Sequence, residues 1–199
     1  AKIIRQATVT SFDFSTDGKK IAVEDEGDYE SSVIIIATGG KPRTLGIESE
    51  IRFQGKGISY CATFDGDFFT GKDIVVIGGG NSAIEESVSL TKYVNSVTII
   101  HEFNHFQAHE WAVEEAKKNP KISFLLNQKV VDFLGSESLE GVVSIDKETN
   151  TKNITKANGA FLFIGYVPNT AWLNGVITLS NRQEIITDEN LQTNLSGVF

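Results

Sequence analysis

A continuous apolar run, a triple glycine and a helical period follow one another at Asp73 to Ile77, Gly78-Gly79-Gly80 and Asn81 to Tyr93. This succession constrains the fold more than any other stretch: the glycines mark the passage from a strand buried on both faces to a helix lying over its sheet. On that helix Ala83, Ile84, Ser87, Val88 and Thr91 share one face, while Glu85, Ser89 and Lys92 share the other, the division that covering a sheet requires. A second strand at Ser96 to His101 and a second helix at Ala108 to Asn119, stopped by Pro120, complete a βαβ unit with parallel strands.

Within the turn, Gly78-x-Gly80-x-x-Ala83 has a physical task at each position. Gly78 permits the tight turn, Gly80 lets backbone approach a pyrophosphate, and the small Ala83 lets helix and strand pack closely. The helix start then offers unpaired amides and positive dipole to the anion, with Gly79 in the turn and Asn81 and Ser82 adding side-chain donors. Glu102 lies just past the second strand, where an acidic group accepts hydrogen bonds from the adenosine ribose. The 2′-phosphate of NADPH would meet this carboxylate at a cost of up to ~4 kcal/mol for charges ~4 Å apart at an effective dielectric of ~20, less after screening. No Arg or Lys occurs between Val97 and Ala116 to offset it, so NADH is the expected nucleotide. The alternative for Glu102 is a solvated charge at a strand end.

The flanks are β-rich. Ala7 to Phe14, Lys19 to Glu24 after the Asp17-Gly18 turn, and Tyr29 to Thr38 read as a meander, and the polar stretch through Glu50 reads as a linker or crossover. A domain boundary near residue 48 is expected. Downstream, Lys129 to Leu134, Gly141 to Asp146 and Thr151 to Thr155 form a second meander, followed by a buried strand at Ala160 to Ile164. The tail carries a short helix at Asn169 to Leu173 and a strand near Glu184 to Thr187.

Charge and composition narrow the partners. With 18 Lys and Arg against 26 Asp and Glu the formal charge is −8, which disfavours nucleic acid and anionic lipid. The apolar runs are far short of a membrane span, and no signal peptide opens the chain. Cys61 is the only cysteine, so no internal disulfide forms, and a lone thiol fits a reducing, cytoplasmic setting. His101, His105 and His109 recur every four residues, but His101 should end a strand, so they form no continuous helical face and no metal site is expected. Methionine is absent and the chain stops just as an apolar run begins at Ser196-Gly197-Val198-Phe199. The expectation is a segment of a longer polypeptide.

The stretch Ile58-Ser59-Tyr60-Cys61-Ala62-Thr63-Phe64-Asp65-Gly66-Asp67-Phe68-Phe69, followed by Gly78-Gly79-Gly80-Asn81-Ser82-Ala83-Ile84-Glu85-Glu86, resembles the low-molecular-weight, bacterial-type thioredoxin reductases of the flavin disulfide reductase superfamily. The likeness runs from Ile34-Ile35-Ile36-Ala37-Thr38-Gly39 through Phe163-Ile164-Gly165-Tyr166-Val167-Pro168-Asn169-Thr170 to Gly197-Val198-Phe199. It implies an α/β fold: a Rossmann-like nicotinamide-binding domain at residues 49–165, with parallel sheet, helices and β-meander. This domain would be flanked at residues 1–48 and 166–199 by β-rich pieces of a split FAD domain. The family's FAD fingerprint and its Ala-Gly-Asp flavin motif lie outside this chain, so FAD is expected in the full-length protein and a nicotinamide dinucleotide here. The resemblance also places His101, Glu102 and Gly165 among the cofactor-binding positions, and implies a homodimer when full length.

Two departures from the family pattern bear on function. Cys61 matches the first cysteine of the family's Cys-x-x-Cys pair, but Phe64 stands where the second belongs, and thiol-disulfide exchange needs two sulfurs. Cys61 is then either a reactive thiolate at a helix start or a small buried remnant. Phe64 either packs on the flavin ring or fills core. Asp65 keeps the position of the family's proton-handling carboxylate. The family's basic NADPH motif, His-Arg-Arg with a later Arg, stands here as His101-Glu102-Phe103 with Gln107, in line with NADH. The expected activity is a thioredoxin-reductase-like oxidoreductase in which NADH delivers hydride to FAD, with a thioredoxin-like protein or a peroxide-reducing protein as partner. A ferredoxin-linked reductase of the same fold and a non-catalytic nucleotide-sensing or partner-binding module are the alternatives.

Overall fold

The structure, a computed structural model, describes residues 2–15 and 18–199, apart from the side chain of Phe64. The turn expected at Asp17-Gly18 and the packing of Phe64 therefore lie outside the described residues. The chain divides into two compact units, Ala1–Lys41 with Val167–Phe199, and Pro42–Tyr166. The division at Lys41 comes before the boundary read near residue 48. Its physical reason is apolar: Leu45 and Ile47 pack against the core of the second unit.

In the first unit β1 (Val9–Asp13), β2 (Lys19–Val23) and β3 (Gly27–Ser31) form an antiparallel sheet in chain order. Lys19 pairs with Ser31, and a register shift falls between Val9 and Ser11. The unit's core joins its two sequence segments, with Phe14 buried among Leu173, Ile177 and Val198. The long strand expected at Tyr29 to Thr38 is broken: β3 ends at Ser31, and Ile34 makes only a single parallel bridge to Val198. Ile35 is left 76% exposed, because an apolar run pairs as a strand only where a neighbour is present. Likewise Glu184 to Thr187 contributes one bridge, Ile185 to Leu179, rather than a strand, and the helix read at Asn169 is a single tight turn at Ala171–Leu173. A short strand β4 (Gly40–Pro42) follows.

The second unit opens with α1 (Glu48–Phe53), where a linker was expected. Acidic Glu48 and Glu50 lie in its first turn and Arg52 in its last, matching the helix dipole. There follow β5 (Ile58–Ser59), α2 (Ala62–Asp65), β6 (Asp73–Ile77), α3 (Asn81–Leu90), β7 (Ser96–Ile100), α4 (Glu110–Lys118), β8 (Ile122–Leu125), β9 (Gln128–Gly135), β10 (Leu139–Asp146), β11 (Lys152–Lys156) and β12 (Gly159–Leu162). A parallel sheet runs β5-β12-β6-β7-β8, and the antiparallel meander runs β11-β10-β9. β8 was not expected, since four residues between Pro120 and the Asn127 turn are too few to show a period. Helix α3 ends at Leu90, short of the expected Tyr93, and the Thr91 hydroxyl donates to the Val88 carbonyl at 2.6 Å there.

The strand period of two divides the sheet's side chains between two cores. Ile74, Val76, Val97, Ile99 and Phe161 face Ala83, Ile84 and Leu90 of α3 and Ala112, Val113 and Ala116 of α4. Val75, Ile77, Ile100, Ala160 and Leu162 face Phe53 of α1 and the meander residues Val130, Phe133, Leu139 and Val142. Each fully buried aliphatic side chain contributes about 1.5–3 kcal/mol relative to exposure. The doubly covered sheet thus holds the carboxyl ends of β6 and β7 rigid where the chain turns toward α3. Among the described residues no helix is long and apolar enough to cross a membrane.

Candidate functional site

Beyond Ile77 the backbone enters a turn that only glycine tolerates. Gly78 has φ of +138°, and a Cβ on it would fall 2.3 Å from the Phe163 carbonyl oxygen and 3.2 Å from the Ala83 Cβ. A Cβ on Gly79 would fall 2.4 Å from ring atoms of His101. Gly80 is different. A Cβ there would meet nothing within 4 Å, so its bareness serves the open space in front of it rather than protein packing. Gln107 holds the loop from the side, its amide donating to the Gly79 carbonyl at 2.8 Å.

Gly80 is also the N-cap of α3 and no side chain caps the helix. The first-turn amides therefore remain available to an anion. Asn81 differs from the reading that made it a plain donor: its Oδ1 accepts from the His109 amide at 2.8 Å and so ties the start of α4 to the turn. Ser82 is exposed.

The turn opens on a cleft of about 1010 Å³ within the second unit. Cys61, Gly78, Gly79, Gly80, Asn81, Ser82, His101, Glu102 and Gly165 all line it. Ala83 lies beneath, fully buried. Asp65 stands off the lining, its Oδ2 accepting from the Ser59 hydroxyl at 2.6 Å, while the Cys61 amide donates to the same hydroxyl at 3.0 Å. Ser59 thus links the two residues carried over as catalytic. Cys61 itself is half-buried and free. At the other end, Gly165 adopts φ of +101° and its carbonyl accepts from the Arg43 amide at 2.9 Å.

The profile of pyridine nucleotide-disulphide oxidoreductases matches residues 1–199. The chain belongs to that family. It is 39% identical over 194 residues to a thioredoxin reductase of Peptoclostridium acidaminophilum, covering 94% of this chain and 62% of that protein. It is 38% identical over 184 residues to a "34.2 kDa protein in rubredoxin operon" of Clostridium pasteurianum, covering 92% of this chain and 60% of that one. The crystal structure of Lactococcus lactis thioredoxin reductase superposes with a TM-score of 0.90 at 34% identity, over 97% of this chain and 64% of the other. The chain therefore spans less than two thirds of each of these relatives.

Several residues in and around the cleft were not foreseen. Glu50 is 1% exposed; its Oε2 accepts from the Leu45 and Gly46 amides at 2.8 and 3.2 Å, and its Oε1 from the Tyr60 hydroxyl at 2.7 Å. Burial, together with the bond to Glu50, holds the Tyr60 phenol protonated well above its ordinary range. Tyr60 lines the cleft beside Cys61. Glu102, read as an unopposed carboxylate, is paired: Lys147 Nζ lies 3.4 Å from its Oε1. That cation comes from the β10–β11 hairpin, beyond the reach of a search confined to residues 97–116.

His101 is 5% exposed and, among the described residues, its Nε2 has no hydrogen-bond partner. Burial lowers its pKa below the ordinary 6.5, against the raising effect of a bond to the His105 backbone. An unfolded chain therefore takes up a proton on this residue at a pH where the folded chain does not, and stability falls as pH drops below about 6.5. The expected result is a thermal midpoint that declines from about pH 7 to about pH 5.5, with a shallower decline in His101→Phe. Equal slopes in the two proteins would reject this role for His101.

Proposed function

We propose that the cleft binds a nicotinamide dinucleotide, NADH in preference to NADPH, and that the full-length protein is a flavin-dependent oxidoreductase of the thioredoxin-reductase kind. Three features of the residues fit the dinucleotide. Gly80 faces open space, the first turn of α3 has no side-chain cap, and among the described residues the buried His101 Nε2 in the cleft wall lacks a partner. The first of these carries the reading, because a glycine demanded by no protein neighbour is explained by close approach of a ligand.

Once bound, the dinucleotide supplies a hydride, with the flavin of the full-length protein as its acceptor. The chain's own residues do the holding. The amides of Asn81, Ser82 and Ala83 would face the pyrophosphate, Gly80 would admit it, and Glu102 would accept from the ribose hydroxyls. The half-exposed Glu102 carboxylate disfavours a 2′-phosphate, but Lys147 offsets part of its charge. The expected preference is therefore nearer tenfold than the limit set by an unopposed charge. At the Cys61 end, the Ser59 hydroxyl donates to Asp65 and accepts from the Cys61 amide, and a thioredoxin-like protein or another carrier would receive the electrons.

Gly80→Ala tests the reading. The variant is expected to unfold at the wild-type temperature, since its new methyl meets no protein atom, yet to bind ADP-ribose at least about tenfold more weakly by calorimetry on the full-length protein. Unchanged binding would remove the support for a pyrophosphate at this turn.

A further inference from the structure

Lys147 is held in place by more than its ion pair. Its backbone amide donates to the Asn127 carbonyl at 2.9 Å, and Asn127 Nδ2 donates to Glu148 Oε1 at 2.6 Å. Asp146 Oδ1 accepts from the Glu148 and Thr149 amides at 2.9 Å each, and its Oδ2 accepts from Gln128 Nε2 at 2.8 Å. Asn127 and Gln128 in turn donate from their amides to the carbonyls of Phe103 and His101, at 3.0 and 2.9 Å. The hairpin that bears Lys147 is thus tied through backbone bonds to the segment just past β7 that bears Glu102.

From that anchored position the ammonium reaches Glu102 twice, at 3.4 Å to Oε1 and 3.3 Å to its carbonyl oxygen, and sits 5.3 Å from the centre of the Phe103 ring. Glu102 and Phe103 line the cleft, and Lys147 contacts both from outside the lining. A surface pair contributes little when two long side chains must be ordered to make it. Here the backbone is already held, and the ring and the carbonyl confine the ammonium.

We propose that Lys147 is a nucleotide-specificity determinant: a positioning residue that aims the Glu102 carboxylate and sets how strongly the cleft rejects a 2′-phosphate. The inference rests on the reading of the cleft as a dinucleotide site. Two opposed charges at 3.4 Å make the local field small, so the discrimination contributed by Glu102 is the difference between them. Lys147 removed, the carboxylate acts unopposed. Glu102 neutralised, the same ammonium becomes an attraction for the phosphate. The cleft wall therefore has its specificity divided between two residues far apart in sequence, and either one alone tips it in a defined direction.

Calorimetric titration of the full-length protein with ADP-ribose and with 2′-phospho-ADP-ribose tests this at low and at high salt. Lys147→Ala is expected to raise the preference for ADP-ribose about two- to fivefold, the range of an exposed pair, and added salt should shrink the change. Lys147→Arg should restore the wild-type ratio, which a loss of hairpin structure would not allow. Glu102→Gln is expected to shift the ratio toward the phosphorylated ligand, and adding Lys147→Ala to it should then weaken that ligand alone. A ratio unmoved by Lys147→Ala, with ADP-ribose still bound, overturns the proposal and leaves the dinucleotide reading standing. Failure of the wild-type protein to bind either ligand overturns both.

Discussion

Gly78→Ala is expected to destabilise the protein by about 3–5 kcal/mol and to abolish ligand binding at the turn. Two costs combine. A side chain at φ of +138° stores about 1–3 kcal/mol of backbone strain, and a methyl placed 2.3 Å from the Phe163 carbonyl oxygen forces β6 and the segment after β12 apart, at about 1–3 kcal/mol more. The collision is with backbone on one side and with Ala83 on the other, so no side-chain rotation relieves it. Urea unfolding of the two proteins measures the difference. A loss under about 1 kcal/mol would mean that the turn relaxes freely and that the sheet end is not the rigid platform described. The contrast with Gly80→Ala is the point: neighbouring glycines of one motif should separate into one that protects the fold and one that protects the ligand.

Glu50→Ala is expected to cost a similar amount, about 3–5 kcal/mol, for a different reason. The carboxylate, itself 1% exposed, accepts from two amides and a phenol that are only partly buried. Its truncation orphans all three donors and leaves a cavity in the wall beneath the cleft. Tyr60→Phe removes one bond only and should cost about 1–2 kcal/mol. A double variant that costs no more than Glu50→Ala alone would show that the phenol is held by Glu50 rather than by its packing. Additive losses would reject that coupling.

The parts of the fold that were legible in the sequence are those whose signal is local. β6, the glycine turn, α3 and β7 each carry a period or a sterically required residue within a few positions, and the structure puts them there, with α3 stopping early at Leu90. What was not legible depends on distant partners. Glu50 sits in a polar stretch that composition reads as a linker. It is buried because the Leu45 and Gly46 amides and the Tyr60 hydroxyl converge on it, and no periodicity announces that. Val33 to Thr38 has the composition of a core strand, yet Ile35 lies exposed, since strand pairing is a property of two segments. The same limit governed the cleft. Glu102 follows from its place after a strand, whereas Lys147 arrives from a hairpin 45 residues on, and Ser59 joins Cys61 to Asp65 through a side chain with no motif of its own.

The way the chain is divided has a consequence for how it folds. The second unit is one continuous segment, and its beginning and end are held together by the bond from the Arg43 amide to the Gly165 carbonyl. The first unit must instead bring Phe14 to Leu173, Ile177 and Val198, which in a flexible polymer means closing a very long loop. Once the inserted segment has folded, that loop is short-circuited. The entropy lost in joining the outer pieces is then largely met beforehand, so the expected order of assembly is from the inside outward, with the inner segment as an intramolecular clasp for the outer one.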